Sequence, residues 1–141
     1  YSGIPDLKKG WEVVKASGCD NAMLILDTWH WVRADQPYDI LTKEMAKKVV
    51  SIQINDAYER PYAASILRDE SMHDRLAPGT GAKDTAGFVK MIKEAGVSPK
   101  AVGVEVISDA ILAKGLKEAA EYTYSNTKKV LEETWPELLE D

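Results

Sequence analysis

Three oxygen-bearing side chains lie at or near the ends of apolar, β-branched stretches of this 141-residue sequence, at Asp27, Gln53 and Glu105. Short apolar runs of this kind are typical of parallel strands buried on both faces, and α/β folds gather their functional groups at the carboxyl ends of such strands. Any one of the three could simply cap a strand or bond to a loop. Their recurrence after helix-length intervals favours a shared site at one rim of a sheet.

Other side chains that could take part in binding or catalysis follow the same strands. His30 comes three residues after Asp27, which predicts a functional imidazole on the same rim, and Trp29 beside it is either a pocket wall or a core residue. Arg75 precedes the turn 78–81, Pro-Gly-Thr-Gly, and is either a surface residue or a partner for a substrate oxygen or anion. His73 is expected to be exposed to solvent.

The elements that would position these residues alternate along the chain. Apolar periodicity, caps and glycine stops predict four helices and three strands, in the order α-β-α-β-α-β-α, at residues 6–17, 22–27, 40–47, 49–54, 84–95, 101–107 and 109–134. Such alternation predicts a parallel sheet with right-handed crossovers. The predicted fold class is therefore α/β, in a single domain that covers residues 1–141.

Three segments carry no clear periodicity. The segment 31–39 is too broken for regular structure, and the segment 55–83 reads as a long functional loop that could contain a helical turn at 63–68. The acidic tail 135–141 is expected to be peripheral.

Composition excludes several classes of function. A net charge of −5 argues against nucleic acid as a partner, because phosphate binding needs a clustered excess of Lys and Arg. There is neither an apolar run long enough for a membrane span nor a secretory leader, so we expect no membrane association and a cytoplasmic location. The single cysteine, Cys19, permits no internal disulfide and has no catalytic context.

Four ordered motifs resemble the C-terminal part of the xylose-isomerase-like TIM-barrel superfamily of sugar isomerases, epimerases and dehydratases. The motifs are Leu-Asp-Thr-Trp-His at 26–30, Ile-Gln-Ile-Asn-Asp at 52–56, Asp-Arg-Leu-Ala-Pro-Gly-Thr-Gly at 74–81 and Val-Glu-Val at 104–106. The resemblance covers nearly the whole chain. It implies the last three strands of a (β/α)8 barrel.

The resemblance also implies a divalent cation at the strand ends. By this likeness Asp27, Gln53 and Glu105 would be its ligands, His30 and Arg75 would contact substrate, and Glu105 would also be the catalytic base. The oxygen donors suit Mg²⁺ or Mn²⁺, and the metal would polarise a substrate carbonyl or hydroxyl. The superfamily's first ligand, a Glu, has no match and would lie on a strand before Tyr1.

Two positions depart from the commoner pattern. Gln53 stands where epimerases usually have His, and resembles the metal-dependent 3-dehydroshikimate dehydratases; Thr80 stands where Glu is frequent in the turn. The leading hypothesis is a metal-dependent isomerase or epimerase of a sugar or polyol. The alternatives are a dehydratase of a cyclic keto-acid or inosose, and a non-catalytic half-barrel that pairs through its open sheet edges, as a homo-oligomer or with the remainder of a barrel.

Overall fold

The computed structural model describes residues 3–59 and 67–140. In this part of the chain, α-helices and parallel strands alternate. The helices and strands are α1 Leu7–Ser17, β1 Leu24–Asp27, α2 Thr28–Arg33, α3 Lys43–Ala46, β2 Val49–Ile54, α4 Leu67–His73, α5 Thr85–Glu94, β3 Ala101–Val104, α6 Asp109–Leu112 and α7 Leu116–Thr134, with 3-10 turns at Tyr38–Ile40 and Pro136–Leu139.

The three strands form one parallel sheet in the order β1-β2-β3. Asp27 pairs with Gln53, and Gln53 pairs with Gly103, so these three positions lie in one row across the sheet. Glu105 follows Gly103 by two residues and therefore belongs to the same face as Gln53. The register thus brings the three predicted oxygen side chains to one edge of the sheet.

The helices cover one face of this sheet, where apolar strand residues such as Leu26 and Ile52 are buried. They pack with large side chains from the helices and from the C-terminal turn, which include Trp11, Trp31, Phe88, Ile92, Val130, Leu131 and Trp135. Ile25 alternates with this buried set along β1, and it is 58% exposed. The sheet therefore has one face packed against helices and one face open.

Several predicted elements are confirmed and others are corrected. The prediction of β2 at 49–54 is exact, and the left-handed Gly18 ends α1 as expected. The segment 31–39 was expected to be irregular, but its first residues belong to α2, because the side chain of Asp27 caps that helix. The predicted helix 109–134 is broken at Gly115, whose φ of 94° is incompatible with a continuous helix.

The tail is not peripheral. Trp135 is only 9% exposed and belongs to the hydrophobic core, and Leu138 packs against that core. The strand β3 ends at Val104 rather than at 107, because its partner β2 ends at Ile54. Most of the predicted turn at 63–68 lies outside the described residues. No helix in the described ranges is long and apolar enough to cross a membrane.

Candidate functional site

Asp27 is the last residue of β1 and lies where the sheet borders the candidate site. Its Oδ1 accepts a hydrogen bond from the backbone N–H of His30 at 2.9 Å, and its Oδ2 accepts one from Asn55 Nδ2 at 2.8 Å. Arg75 Nη1 lies 3.1 Å from the same Oδ2. Burial raises the pKa of the Asp27 carboxyl, and the Arg75 guanidinium partly offsets that rise in pKa.

Gln53 and Glu105 complete the row of oxygen side chains. Gln53 Nε2 donates a hydrogen bond to Glu105 Oε1 at 3.1 Å, so the amide and the carboxylate are in direct contact. The Glu105 side chain is 38% exposed, whereas the Asp27 side chain is 5% exposed. Of the two carboxylates, that of Glu105 is therefore the more accessible to a small molecule on the open face.

Arg75 lies between the two carboxylates. Its Nη1 is 2.7 Å from Glu105 Oε2 and 3.1 Å from Asp27 Oδ2, and the side chain is 3% exposed. Its Nε donates to the Ser71 carbonyl at 2.9 Å and its Nη2 to Ser71 Oγ at 2.9 Å. The guanidinium carbon lies 5.4 Å from the centre of the Trp29 ring. Arg75 is thus a buried residue with a defined orientation, and the hypothesis that it is a surface arginine is wrong.

His30 and Trp29 lie together at the start of α2. Trp29 is 1% exposed, and its ring meets the His30 imidazole edge-on, with 5.0 Å between ring centres. Partial desolvation lowers the pKa of His30, and the nearby Asp27 carboxylate acts in the opposite direction. The imidazole is the more accessible of the two rings, whereas Trp29 forms part of the support beneath Arg75.

A cavity of about 310 Å³ opens beside this cluster. Asp27, His30 and Gln53 contribute polar groups to its lining, while Pro5 and Leu26 contribute apolar surface. The volume is at the lower end of the range for pockets that hold small molecules. Three of the predicted site residues therefore face one concave space.

Two neighbours of the predicted residues were missed in the sequence. Asn55 is fully buried and donates to Asp27, and its Oδ1 has no hydrogen-bond partner among the described residues. Its position two residues after Gln53, on the same side of the strand, was a usable signal. Ser71, which accepts two hydrogen bonds from Arg75, carried no such signal in the sequence.

The turn at 78–81 has a structural explanation. Asp56 is fully buried, and its carboxylate accepts hydrogen bonds from the backbone N–H groups of Ala57, Gly81 and Lys83. A Cβ at Gly81 would lie 2.4 Å from Asp56 Oδ1, and Gly79 has a φ of 72°. The glycines therefore serve the turn itself and bring the chain against Asp56.

A second buried ion pair holds α4 beside the site. Arg33 at the end of α2 forms a bidentate pair with Glu70 in α4 and also donates to the Tyr58 carbonyl at 2.9 Å. Glu70 precedes Ser71, so this pair restrains the helix that orients Arg75. His73, at the end of α4, is exposed as expected, and its Nδ1 contacts Asp109 rather than the site.

The chemistry of the donor set fits a divalent cation. Asp27 and Glu105 supply two carboxylates and Gln53 supplies an amide oxygen, which are hard ligands suited to Mg²⁺ or Mn²⁺. Within residues 3–59 and 67–140, no group of three His, Cys, Asp or Glu side chains is placed to hold a metal. The described part of the chain thus offers two carboxylates and one amide.

Sequence comparisons identify the family of this chain. A family model for the xylose isomerase-like TIM barrel matches residues 2–126. The inosose isomerase of Halalkalibacterium halodurans is 29% identical over 123 residues, which are 87% of this chain and 42% of that protein. The 3-dehydroshikimate dehydratase of Pseudomonas aeruginosa is 28% identical over 106 residues, 75% of this chain and 16% of that protein. The chain spans less than half the length of these curated relatives.

Solved structures show the same architecture. A crystal structure of the IolI protein with a bound zinc atom superposes with a TM-score of 0.78 at 24% identity, over 92% of this chain and 44% of that one. A xylose isomerase domain protein from Alicyclobacillus acidocaldarius superposes with a TM-score of 0.68 at 28% identity, over 89% and 43%. The chain therefore belongs to the xylose isomerase-like TIM barrel family, and its parallel sheet is part of such a barrel.

Proposed function

We propose that the protein carrying this chain is a divalent-metal-dependent isomerase or epimerase of a sugar or polyol, in which Asp27, Gln53 and Glu105 hold the metal. The observation that carries the proposal is the row of these three side chains at or just beyond the ends of adjacent strands, in which Gln53 donates to Glu105 and Arg75 contacts both Glu105 and Asp27. The similarity to inosose isomerases supports a cyclic polyol or its ketone as the substrate class. The chain itself is proposed to be one domain and the C-terminal part of the barrel.

In this proposal each side chain has a defined task. A bound Mn²⁺ or Mg²⁺ would polarise a substrate carbonyl or hydroxyl pair. Glu105, the more exposed carboxylate, removes and returns the proton on the adjacent carbon, and Gln53 and Arg75 hold its two oxygens. His30 faces the cavity and donates to or accepts from a substrate hydroxyl. Trp29 is assigned to the substrate site through its contacts with His30 and Arg75.

A dehydratase is the second candidate, and Gln53 favours it. The 3-dehydroshikimate dehydratase of Pseudomonas aeruginosa is among the relatives, and Arg75 could pair with a substrate carboxylate if it left one of its present partners. The same proton abstraction by Glu105 would then be followed by the departure of water. A dehydratase forms a conjugated product that absorbs in the ultraviolet, whereas an isomerase does not.

The deciding experiment uses the full-length protein with Mn²⁺ or Mg²⁺, an inosose and 3-dehydroshikimate in D₂O. An isomerase incorporates deuterium at the carbon beside the carbonyl, which NMR detects, and leaves the ultraviolet spectrum unchanged. A dehydratase produces an absorbing product. Zinc is included as a third metal because the similar IolI structure contains it.

A third possibility belongs to another class. The open sheet face, with Ile25 58% exposed, favours a non-catalytic module that associates with another copy or with further barrel strands. Absence of both reactions, together with a dimer or larger species in sedimentation, would favour this module over an enzyme.

A further inference from the structure

We infer that the Arg75 guanidinium is the cation that pairs with Asp27 and Glu105, and that it competes with a divalent metal for these two carboxylates. The inference rests on the metal site of the proposed function and adds a residue that sets the metal affinity. It differs from a substrate-binding role for Arg75, because it concerns the protein before any substrate is present.

The geometry is that of a bridging cation. A single nitrogen of Arg75, Nη1, lies within 3.1 Å of a carboxylate oxygen of Asp27 and within 2.7 Å of one of Glu105. These two residues are also the only carboxylates of the candidate ligand set. A metal ion that bound both of them would need the same oxygens or their immediate surroundings.

The other end of the guanidinium is fixed. Nε and Nη2 both bond to Ser71, through its carbonyl and its hydroxyl, and the carbon of the group lies over Trp29. This anchoring points Nη1 at the carboxylates. Two residues from separate helices, Ser71 in α4 and Trp29 in α2, thus hold the guanidinium in this orientation.

Burial makes the competition strong. The Arg75 and Asp27 side chains are 3% and 5% exposed, so solvent screens their charges poorly. A divalent metal at these carboxylates would lie close to a fixed positive charge. The metal must therefore either displace Nη1 or accept repulsion from it, and both reduce the affinity.

The test measures Mn²⁺ binding to the full-length protein by equilibrium dialysis, with no substrate. Arg75→Met should bind Mn²⁺ about tenfold more tightly or better, because two close carboxylates lose their resident cation. Arg75→Lys keeps the charge and should stay near the wild-type affinity. Lys93→Met is the control, because it removes a cation from a carboxylate, Glu137, that contacts neither the candidate ligands nor α4, and should leave Mn²⁺ affinity unchanged.

A milder variant covers the case in which Arg75→Met does not fold. Ser71→Ala removes one of the anchoring hydrogen bonds and loosens the guanidinium, so it should tighten Mn²⁺ binding by about two- to tenfold. Thermal unfolding with and without Mn²⁺ provides a second readout. Mn²⁺ should raise the melting temperature of Arg75→Met and Ser71→Ala more than that of wild type.

The outcomes separate this inference from the proposed function. Wild-type Mn²⁺ binding with unchanged or weaker binding in Arg75→Met, or in Ser71→Ala where Arg75→Met does not fold, would overturn the inference and leave the proposed metal site intact. Absence of Mn²⁺ binding in wild type and variants alike would overturn both. Tighter binding in Arg75→Met or Ser71→Ala, with the Arg75→Lys and Lys93→Met affinities unchanged, supports the competition.

Discussion

The Asp27 side chain caps the helix that carries His30, because Asp27 Oδ1 accepts the His30 backbone N–H at 2.9 Å. A three-residue spacing is what an N-cap requires, so the Asp-x-x-His motif is a helix start as well as a pair of site residues. The other oxygen of Asp27 remains directed toward Arg75 and Asn55. One carboxylate thus orients α2 and also takes part in the candidate site.

Glu105→Gln should abolish most of the activity proposed here. An amide cannot remove a proton, so we expect turnover to fall by about a hundredfold or more while the far-ultraviolet circular dichroism stays unchanged. The measurement is kcat in the presence of Mn²⁺, with Glu133→Gln, on the exposed side of α7, as the control. Near-normal kcat in Glu105→Gln would exclude this residue as the base.

Gly81→Ala should destabilise the protein by about 1 to 3 kcal/mol, because the added Cβ would meet Asp56 Oδ1 at 2.4 Å and the Ala57 carbonyl at 2.5 Å. The matched control is Gly10→Ala within α1, where the nearest atom would be an ordinary contact at 3.5 Å. There we expect a gain in stability of about 0.5 to 1 kcal/mol. Urea unfolding measures both, and equal effects at the two positions would contradict the close approach at Gly81.

Arg33→Met should lower the free energy of unfolding by about 3 to 5 kcal/mol, because it leaves the buried Glu70 carboxylate without its arginine. Lys9→Met removes an exposed partner of Glu12, 53% and 48% exposed, and should cost less than about 1 kcal/mol. Urea unfolding at neutral pH compares the two variants. Similar small losses would show that the Arg33 pair contributes no more than a surface contact.

Trp135→Ala should cost about 3 to 5 kcal/mol of unfolding free energy, because this side chain belongs to the core although it lies in the acidic tail. Leu139→Ala, at a position 37% exposed in the same tail, serves as the control and should cost much less. Thermal or urea unfolding distinguishes the two. A negligible effect of Trp135→Ala would restore the prediction of a peripheral tail.

The pair of Lys93 and Glu137 should make stability depend on pH in the acid range. The hydrogen bonds from Lys93 lower the pKa of Glu137 below its ordinary value of 4.5. A folded-state pKa below the unfolded one stabilises the protein above about pH 4.5, and this contribution disappears as the pH falls through the folded pKa. The melting temperature of wild type minus that of Lys93→Met should therefore shrink on acidification. A difference that is constant from pH 7 to 3 would contradict the linkage.

Local sequence patterns predicted most helices and strands, and those that were missed depend on tertiary contacts. β2 was correct to the residue because the segment 49–54 contains four β-branched apolar residues and is followed by the polar pair Asn55 and Asp56. α2 was missed because Thr-Trp-His-Trp-Val-Arg has weak helix propensity. Its helical form depends on the Asp27 cap and on burial of Trp29 and Trp31.

The sequence by itself located the three strands near whose carboxyl ends Asp27, Gln53 and Glu105 lie, since apolar runs and the polar residues after them are local patterns. It also determined the family, through motifs in a fixed order. The tertiary structure alone decided that Arg75 lies buried between the two carboxylates. That position depends on Ser71 in α4, a helix that is distant along the chain from β1 and β3. Contacts between distant segments arise from packing, and no local pattern encodes them.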